Sequence, residues 1–441
     1  MFRNLGKPTT VKRGNRHSTQ QKRIFPADLG PGMVSRSKPV QSVQTTPKPV
    51  HLKLDSPLLL CLITLVVLGL IILYSASYDY SQRWASNPYY IIQRQVLWVI
   101  LGIGVMIFLA YFDYHRLRYI AFLALVGTIF ALVLVLILDE VTNNAVRSLW
   151  SGSIRPSELA KLVVVIYVSV WLFSKRERLT NLFLGLYPLS VVLGIIGGLI
   201  VLQPDYSAVV TILFLGAGVF FLAGGDLRQL GLMLLGSFAI GLLVVKFSTT
   251  ASTRFSDYVN GWKNPLDVSD HVMAALQAVI NGGWLGQGLG NGVAKILFLP
   301  VAPTDSIFAV AVEEFGVLGA LVLLGLFVFL LWRSLGIARR APDMLGAMLV
   351  GGLSLWIAFE AFVNMAVILN ILPFAGNALP FISSGGSSLV ASLAAMGIIL
   401  NVARQSVQKE SEMDLRAFIN MRGRDRRRSV PSSDNVASPE K

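Results

Sequence analysis

The stretch from Asn281 to Gly319, NGGWLGQGLGNGVAKILFLPVAPTDSIFAVAVEEFGVLG, runs a glycine-rich polar segment carrying Lys295 and Asp305 straight into an apolar run. Gly286, Gly288, Gly290 and Gly292 alternate there, and backbone amides freed by glycine can close on a phosphate. Tight turns at a membrane surface need the same spacing. A P-loop is excluded, because no strand precedes the glycines and no GK[ST] follows them. A second set of chemically capable residues is Pro156-Ser157-Glu158-Leu159-Ala160-Lys161. Proline suits a first helical turn, and residues three apart share a helix face. A charge at membrane depth costs roughly 2.5 to 3.5 kcal/mol on insertion scales, so it faces a partner or a polar cavity. Glu158 and Lys161 are therefore either a local ion pair or the wall of a cavity that takes anionic groups. Glu313, Glu314 and Glu360 also fall in apolar runs, and at least one of them is expected to pair with Lys161 or Arg147. Asp205, after Gln203-Pro204, is placed to cap the helix that follows. Pro373 to Ser388 carries two prolines and a Gly-Gly pair; such a broken start is tolerated where backbone lines a cavity rather than lipid. Asn364, in the run before it, can hydrogen-bond across helices.

The elements that must position these residues are apolar. Of 441 residues 54% are hydrophobic and 14% charged, with a mean hydropathy of +0.64, which is outside the range of ordinary soluble domains. Ten apolar runs are readable, at about 57–76, 96–112, 120–138, 156–173, 182–202, 207–222, 230–247, 306–332, 345–369 and 381–402. The first is too long and too deep in the chain for a signal peptide. The expected fold is an all-α integral membrane protein of ten transmembrane helices, with a large extracytoplasmic loop, 248–305, between helices 7 and 8. Residues 55–404 would form the membrane domain, residues 1–54 a disordered basic tail, and residues 405–441 a second tail with Arg422, Arg424, Arg426, Arg427 and Arg428 close together. The lysines and arginines of the two tails place both termini in the cytoplasm. The net charge of +14 thus points to anionic lipid rather than nucleic acid. Cys61 alone supplies no disulfide framework, and His17, His51, His115 and His271 form no HExxH motif.

Several of these segments together resemble one family. Pro156 to Lys161, Gln203-Pro204-Asp205, Gly282-Gly283-Trp284 with Gly288-Leu289-Gly290-Asn291, Lys295, Leu299-Pro300, Thr304-Asp305, Ile307-Phe308-Ala309, Glu313-Glu314, Asn364, Leu379 to Ser383 and Gly385 to Ser388 are similar, in order, to the motif set of the SEDS family (shape, elongation, division and sporulation). The resemblance covers most of the membrane region and leaves only the tails untouched. It implies a bacterial peptidoglycan glycosyltransferase that polymerises lipid II at the outer face of the cytoplasmic membrane. The implied partner is a class B penicillin-binding protein, with other division or elongation proteins around it. The long basic N-terminal segment makes the chain more similar to the division branch than to the elongation branch, and the division septum is the implied location.

In that family the catalytic aspartate falls on Asp305. The implied reaction is attack by the 4-hydroxyl of an acceptor GlcNAc on the anomeric carbon of a MurNAc carried on undecaprenyl pyrophosphate. A general base at Asp305 and cations near the pyrophosphate would serve it. Lys161, Arg147, Lys295 and Arg254 are the candidate phosphate ligands, and Glu158 and Ser387 are further candidates for substrate binding. The chain departs from the family at Leu299-Pro300-Val301-Ala302-Pro303-Thr304-Asp305-Ser306, where a glutamate and a histidine usually precede the aspartate. Arg147-Ser148-Leu149-Trp150 replaces an Arg-Trp pair, Ser384 a tyrosine, and Ser207-Ala208 a Gly-Thr pair. Asp257, Asp267, Asp270 and Asp305 share one loop, compatible with a divalent cation such as Mg2+ or Mn2+ on a pyrophosphate, although no ligand spacing identifies one. Two other classes stay open. A lipid II flippase would use the same spans and buried charges, and a membrane scaffold would recruit division enzymes through the tails.

Overall fold

The computed structural model describes residues 54–138, 155–176, 185–264, 268–297, 299 and 302–428. The expected N-terminal tail lies outside them. No strand occurs among the described residues. The helices are α1 (Ser56–Ala85), α2 (Tyr90–Tyr111), α3 (Leu117–Leu138), α4 (Pro156–Ser174), α5 (Leu186–Val201), α6 (Tyr206–Leu222), α7 (Leu227–Phe247), α8 (Thr249–Lys263), α9 (Asp270–Gly282), α10 (Ala294–Leu297), α11 (Ile307–Arg339), α12 (Met344–Ile368) and α13 (Gly386–Arg428). Among the described residues eight helices are long and apolar enough to cross a membrane, and α5 and α6 are shorter apolar helices. Their starts follow local chemistry. Asp55, Asp205, Asp226 and Asp343 each accept a hydrogen bond from a backbone N–H of the helix they precede, satisfying a donor that the first turn leaves unpaired.

The core is formed by α4, α12 and α13. Almost all of the membrane-length part of α13 is buried, whereas α2, α3 and α7 turn large apolar side chains outward, among them Leu97, Phe122, Leu123 and Phe238. Lipid solvates such a surface, so the interior is held by close approach and by polar contacts. At Gly397 a Cβ would meet Met106 O at 2.5 Å, which brings α13 onto α2. From the same face Asn401 Nδ2 donates to the carbonyls of Ala110 (3.0 Å) and Phe112 (2.6 Å), which α2 leaves unpaired at its end. Leu54 and Val407 line one pocket there, beside the Arg333–Asp55 ion pair (2.8 Å). The chain thus enters and leaves the bundle at the same end. Beyond Arg404 α13 continues helical to Arg428, because no proline interrupts the polar sequence before Pro431.

The eighth apolar run is not one continuous helix. Gly316 breaks α11 at φ 71°, ψ −175°, a conformation essentially reserved for glycine. The glycine-rich segment fills the break. Gln287 N donates to Glu313 O (2.9 Å) and Gly288 N to Glu314 O (3.0 Å), while Val317 N donates to Gly283 O (2.9 Å). The alternating glycines therefore satisfy backbone groups freed inside the protein, and the Gly288 amide is committed to Glu314 rather than open to a phosphate. A Cβ on Gly316 would collide with the Trp284 carbonyl oxygen, and one on Gly286 with Glu314 O. Gly316→Ala is expected to cost about 1 to 3 kcal/mol from backbone strain alone, with further loss from that collision. Thermal unfolding of the purified protein in detergent checks it. Gly325→Ala, where the added methyl meets nothing within 4 Å, is the control expected to unfold like wild type.

Candidate active site

A cleft of about 770 Å³ opens at the end of the bundle opposite Leu54 and Val407. Its walls come from four segments: the first turns of α2, the start of α4, the Thr304–Asp305 turn, and Ser384 to Ser388 at the start of α13. Two arginines stand in it. Arg94 Nη1 donates to Tyr90 Oη (3.0 Å), one turn earlier on α2, with its guanidinium 5.5 Å from the ring centroid. Arg155 is the residue before Pro156, and its backbone N–H donates to Ser387 Oγ (3.0 Å). Neither arginine is singled out by the sequence reading, although Tyr90 and Arg94 are one helical turn apart and Arg155 adjoins the Pro156 to Lys161 motif.

Asp305 lies on the floor, in a turn held at three successive carbonyls. Ser384 N donates to Pro303 O (2.8 Å), Ser383 Oγ to Thr304 O (2.7 Å), and Asn364 Nδ2 to Asp305 O (3.0 Å). The Asn364 amide also donates to Asn377 O (2.6 Å), and Gln95 Nε2 to Ser383 O (3.2 Å). The broken start of α13 thus serves as the clamp on this turn, and Asn364 makes the cross-helix contact expected of it. Asp305 Oδ1 is shielded from solvent and takes no hydrogen bond from a donor among the described residues. Leaving such an oxygen unpaired normally costs stability.

Behind the cleft wall is a buried charge cluster. Lys161 Nζ lies 2.8 Å from Glu158 Oε2 on its own helix and hydrogen-bonds Glu360 of α12. Trp356 stands 6.0 Å from the ammonium. The expectation that a buried glutamate pairs with Lys161 is met by Glu360. Glu158 lines the cleft and Lys161 sits one layer further in, with its charge already shared by two carboxylates. Asp205 also acts locally: it caps α6 through Ala208 N (3.4 Å) and accepts Ser157 Oγ of α4 (3.0 Å).

Of the seven residues singled out from the sequence, Asp305, Glu158 and Ser387 line one cleft. Lys295 is elsewhere. Its Nζ contacts Glu314 Oε1 (2.6 Å), Ser75 Oγ (2.7 Å) and Gly290 O (2.9 Å), while Glu313 accepts the N–H groups of Val293 (3.0 Å) and Ala294 (3.1 Å). These two carboxylates, buried just before the break in α11, draw the lysine and the first turn of α10 onto themselves. Arg254 lines a separate pocket of about 580 Å³, with its guanidinium 5.3 Å from the Phe374 ring centroid. Arg147 and Asp267 lie outside the described residues. Among the described residues no three His, Cys, Asp or Glu side chains come together as metal ligands. His271, of α9, reaches Ser306 beside Asp305; nothing local in the sequence links the two.

The family model described as "Cell cycle protein" (FTSW_RODA_SPOVE) matches residues 56–408. The chain is 34% identical over 369 residues to a probable peptidoglycan glycosyltransferase FtsW of Thioalkalivibrio sulfidiphilus, covering 81% of this chain and 91% of that protein. It is 36% identical over 367 residues to the stage V sporulation protein E of Bacillus subtilis, covering 80% and 98%. Among solved structures it is similar to a chain from work on structural coordination of polymerization and crosslinking by a peptidoglycan synthase complex (TM-score 0.65, 26% identity, 80% of this chain and 99% of that one). It is also similar to the rod shape determining protein RodA of Thermus thermophilus (TM-score 0.60, 27% identity, 81% and 99%).

Proposed function

Because the chain belongs to the cell cycle protein family of FtsW, RodA and the stage V sporulation protein E, we propose that it is an FtsW-like peptidoglycan glycosyltransferase that polymerises lipid II, with Asp305 as general base. The observation that carries the reading is the Asp305 carboxylate itself. It is held in a clamped turn, with one oxygen lacking a donor among the described residues, in a cleft that also holds Arg94 and Arg155. In the proposed step the acceptor hydroxyl gives its proton to Asp305 as its oxygen bonds to the donor's anomeric carbon. The bond from that carbon to the lipid pyrophosphate breaks, and the pyrophosphate leaves with the electron pair. Arg94 and Arg155 are the cleft cations suited to the departing charge. Glu158 and Ser387 then contribute to substrate binding from the wall, and Lys161 holds Glu158 in place.

The membrane arrangement proposed with this is ten spans with both termini cytoplasmic and the cleft outside. It is supported by the shared end at which Leu54 and Val407 lie and by the basic tails. Residues 1–54 and 405–441 would be the cytoplasmic extensions, and the septum the place of action. A class B penicillin-binding protein is the proposed partner, in keeping with the similar chain from a complex that coordinates polymerization and crosslinking.

The test is incubation of the purified protein with lipid II, alone and with a co-purified class B penicillin-binding protein, with products resolved on a gel. Glycan strands are expected from the wild type. No strands under either condition, together with lipid II crossing a liposome bilayer, would replace this reading with a flippase. Within the same assay, Asn364→Ala is expected to slow polymerisation about tenfold to a hundredfold. It releases Asp305 O and Asn377 O together, and a small misplacement of a reacting group is costly.

A further inference from the structure

The Asp305 turn has a second anchor, from a distant part of the chain. Ser306 stands at the N-cap position of α11, where a serine hydroxyl usually accepts a backbone N–H of the helix it opens. Here it makes no such cap. The hydroxyl is buried and lies 2.8 Å from Nε2 of His271, the second residue of α9. The imidazole is itself fixed, its ring 4.5 Å from that of Phe374 and inclined to it at 64°. The charged and titratable groups around it are Asp305 on one side and Arg254, Asp257 and Tyr258 of α8, which line the pocket on its other side. Burial holds the imidazole below its ordinary value; the Asp305 charge acts in the opposite sense, and Arg254 acts with burial. The neutral ring is thus the form this site keeps near pH 7.

Resting on the glycosyltransferase reading above, we propose that His271 is a positioning residue for the reaction, acting as a neutral imidazole that holds Ser306 and thereby aims the adjoining Asp305 carboxylate into the cleft. Protonation undoes this. The tautomer assigned by this proposal has Nε2 accepting the Ser306 hydroxyl; ring protonation turns that acceptor into a donor, so the hydroxyl must turn. Activity is therefore present when His271 is neutral and falls as acid protonates it.

The experiment is kcat and KM for lipid II polymerisation between about pH 5 and about pH 8, the range in which histidine titrates. It compares wild type, His271→Ala and His271→Gln in complex with the penicillin-binding protein. His271→Ala is expected to lose about tenfold or more in kcat with KM within about twofold. His271→Gln, whose amide can still reach Ser306, is expected to restore most of kcat near pH 7 and to lack the wild type's additional acid-side decline. Equal rates and equal pH profiles in all three proteins would overturn the positioning role alone. The same acid-side decline in His271→Gln as in wild type would also overturn it. Absence of strands from the wild type at every pH would overturn the glycosyltransferase reading, and this proposal with it.

Discussion

Asp305→Asn is expected to reduce lipid II polymerisation by about 10² to 10⁴-fold, the range over which a positioned general base contributes. The substitution keeps shape and volume, and the ties that hold the turn run through the carbonyls of Pro303, Thr304 and Asp305 rather than the carboxylate. The fold should therefore survive. Because Oδ1 is buried without a donor among the described residues, neutralising the side chain is expected to leave thermal stability unchanged or slightly raised, the usual relation where a site is kept for function. Rates read by strand synthesis and melting read on the same sample separate the two effects. A variant that lost rate and melting temperature together would show a structural aspartate instead.

Lys161→Met is expected to have the largest effect on stability. It leaves Glu158 and Glu360 buried without their shared cation, and breaking a buried pair by removing one partner typically costs about 3 to 5 kcal/mol. Much of the protein should then fail to accumulate in the membrane. Adding Glu360→Gln to Lys161→Met removes one of the stranded charges and is expected to recover part of the loss. The sign of that coupling distinguishes a charge cluster from a simple packing defect. Melting of the single and double variants in detergent measures it, and a Lys161→Met protein that melts like wild type would contradict the assignment.

The parts of this structure that could be read from the sequence are those governed by local spacing. Glu158 and Lys161 pair because they are three apart on one helix, Asp205 caps α6 because it precedes an apolar run, and each of the ten apolar runs falls largely on a helix, although α1 and α13 extend well past theirs. What was not legible depends on contacts between distant segments. Lys295 looks like a surface cation for phosphate until Glu314 and Ser75, a residue of α1, close around it. The run around Gly316 reads as ordinary apolar helix, and the break appears only because residues 283–288 supply the missing backbone partners. His271 and Ser306 meet through the packing of α9 against α11. Arg94 and Arg155 failed to stand out for a different reason: a cation near a span end serves equally as a topology signal, and only the cleft shows that both face Asp305's side of the protein.

The central claim, that Asp305 takes a proton rather than binds substrate, is tested most directly by measuring lipid II binding and strand formation on one preparation of Asp305→Asn beside wild type. The account predicts binding within about threefold of wild type and strand formation at least about a hundredfold slower, the signature of a group used only in the transition state. Strands formed at the wild-type rate, or binding lost in the same proportion as rate, would contradict it.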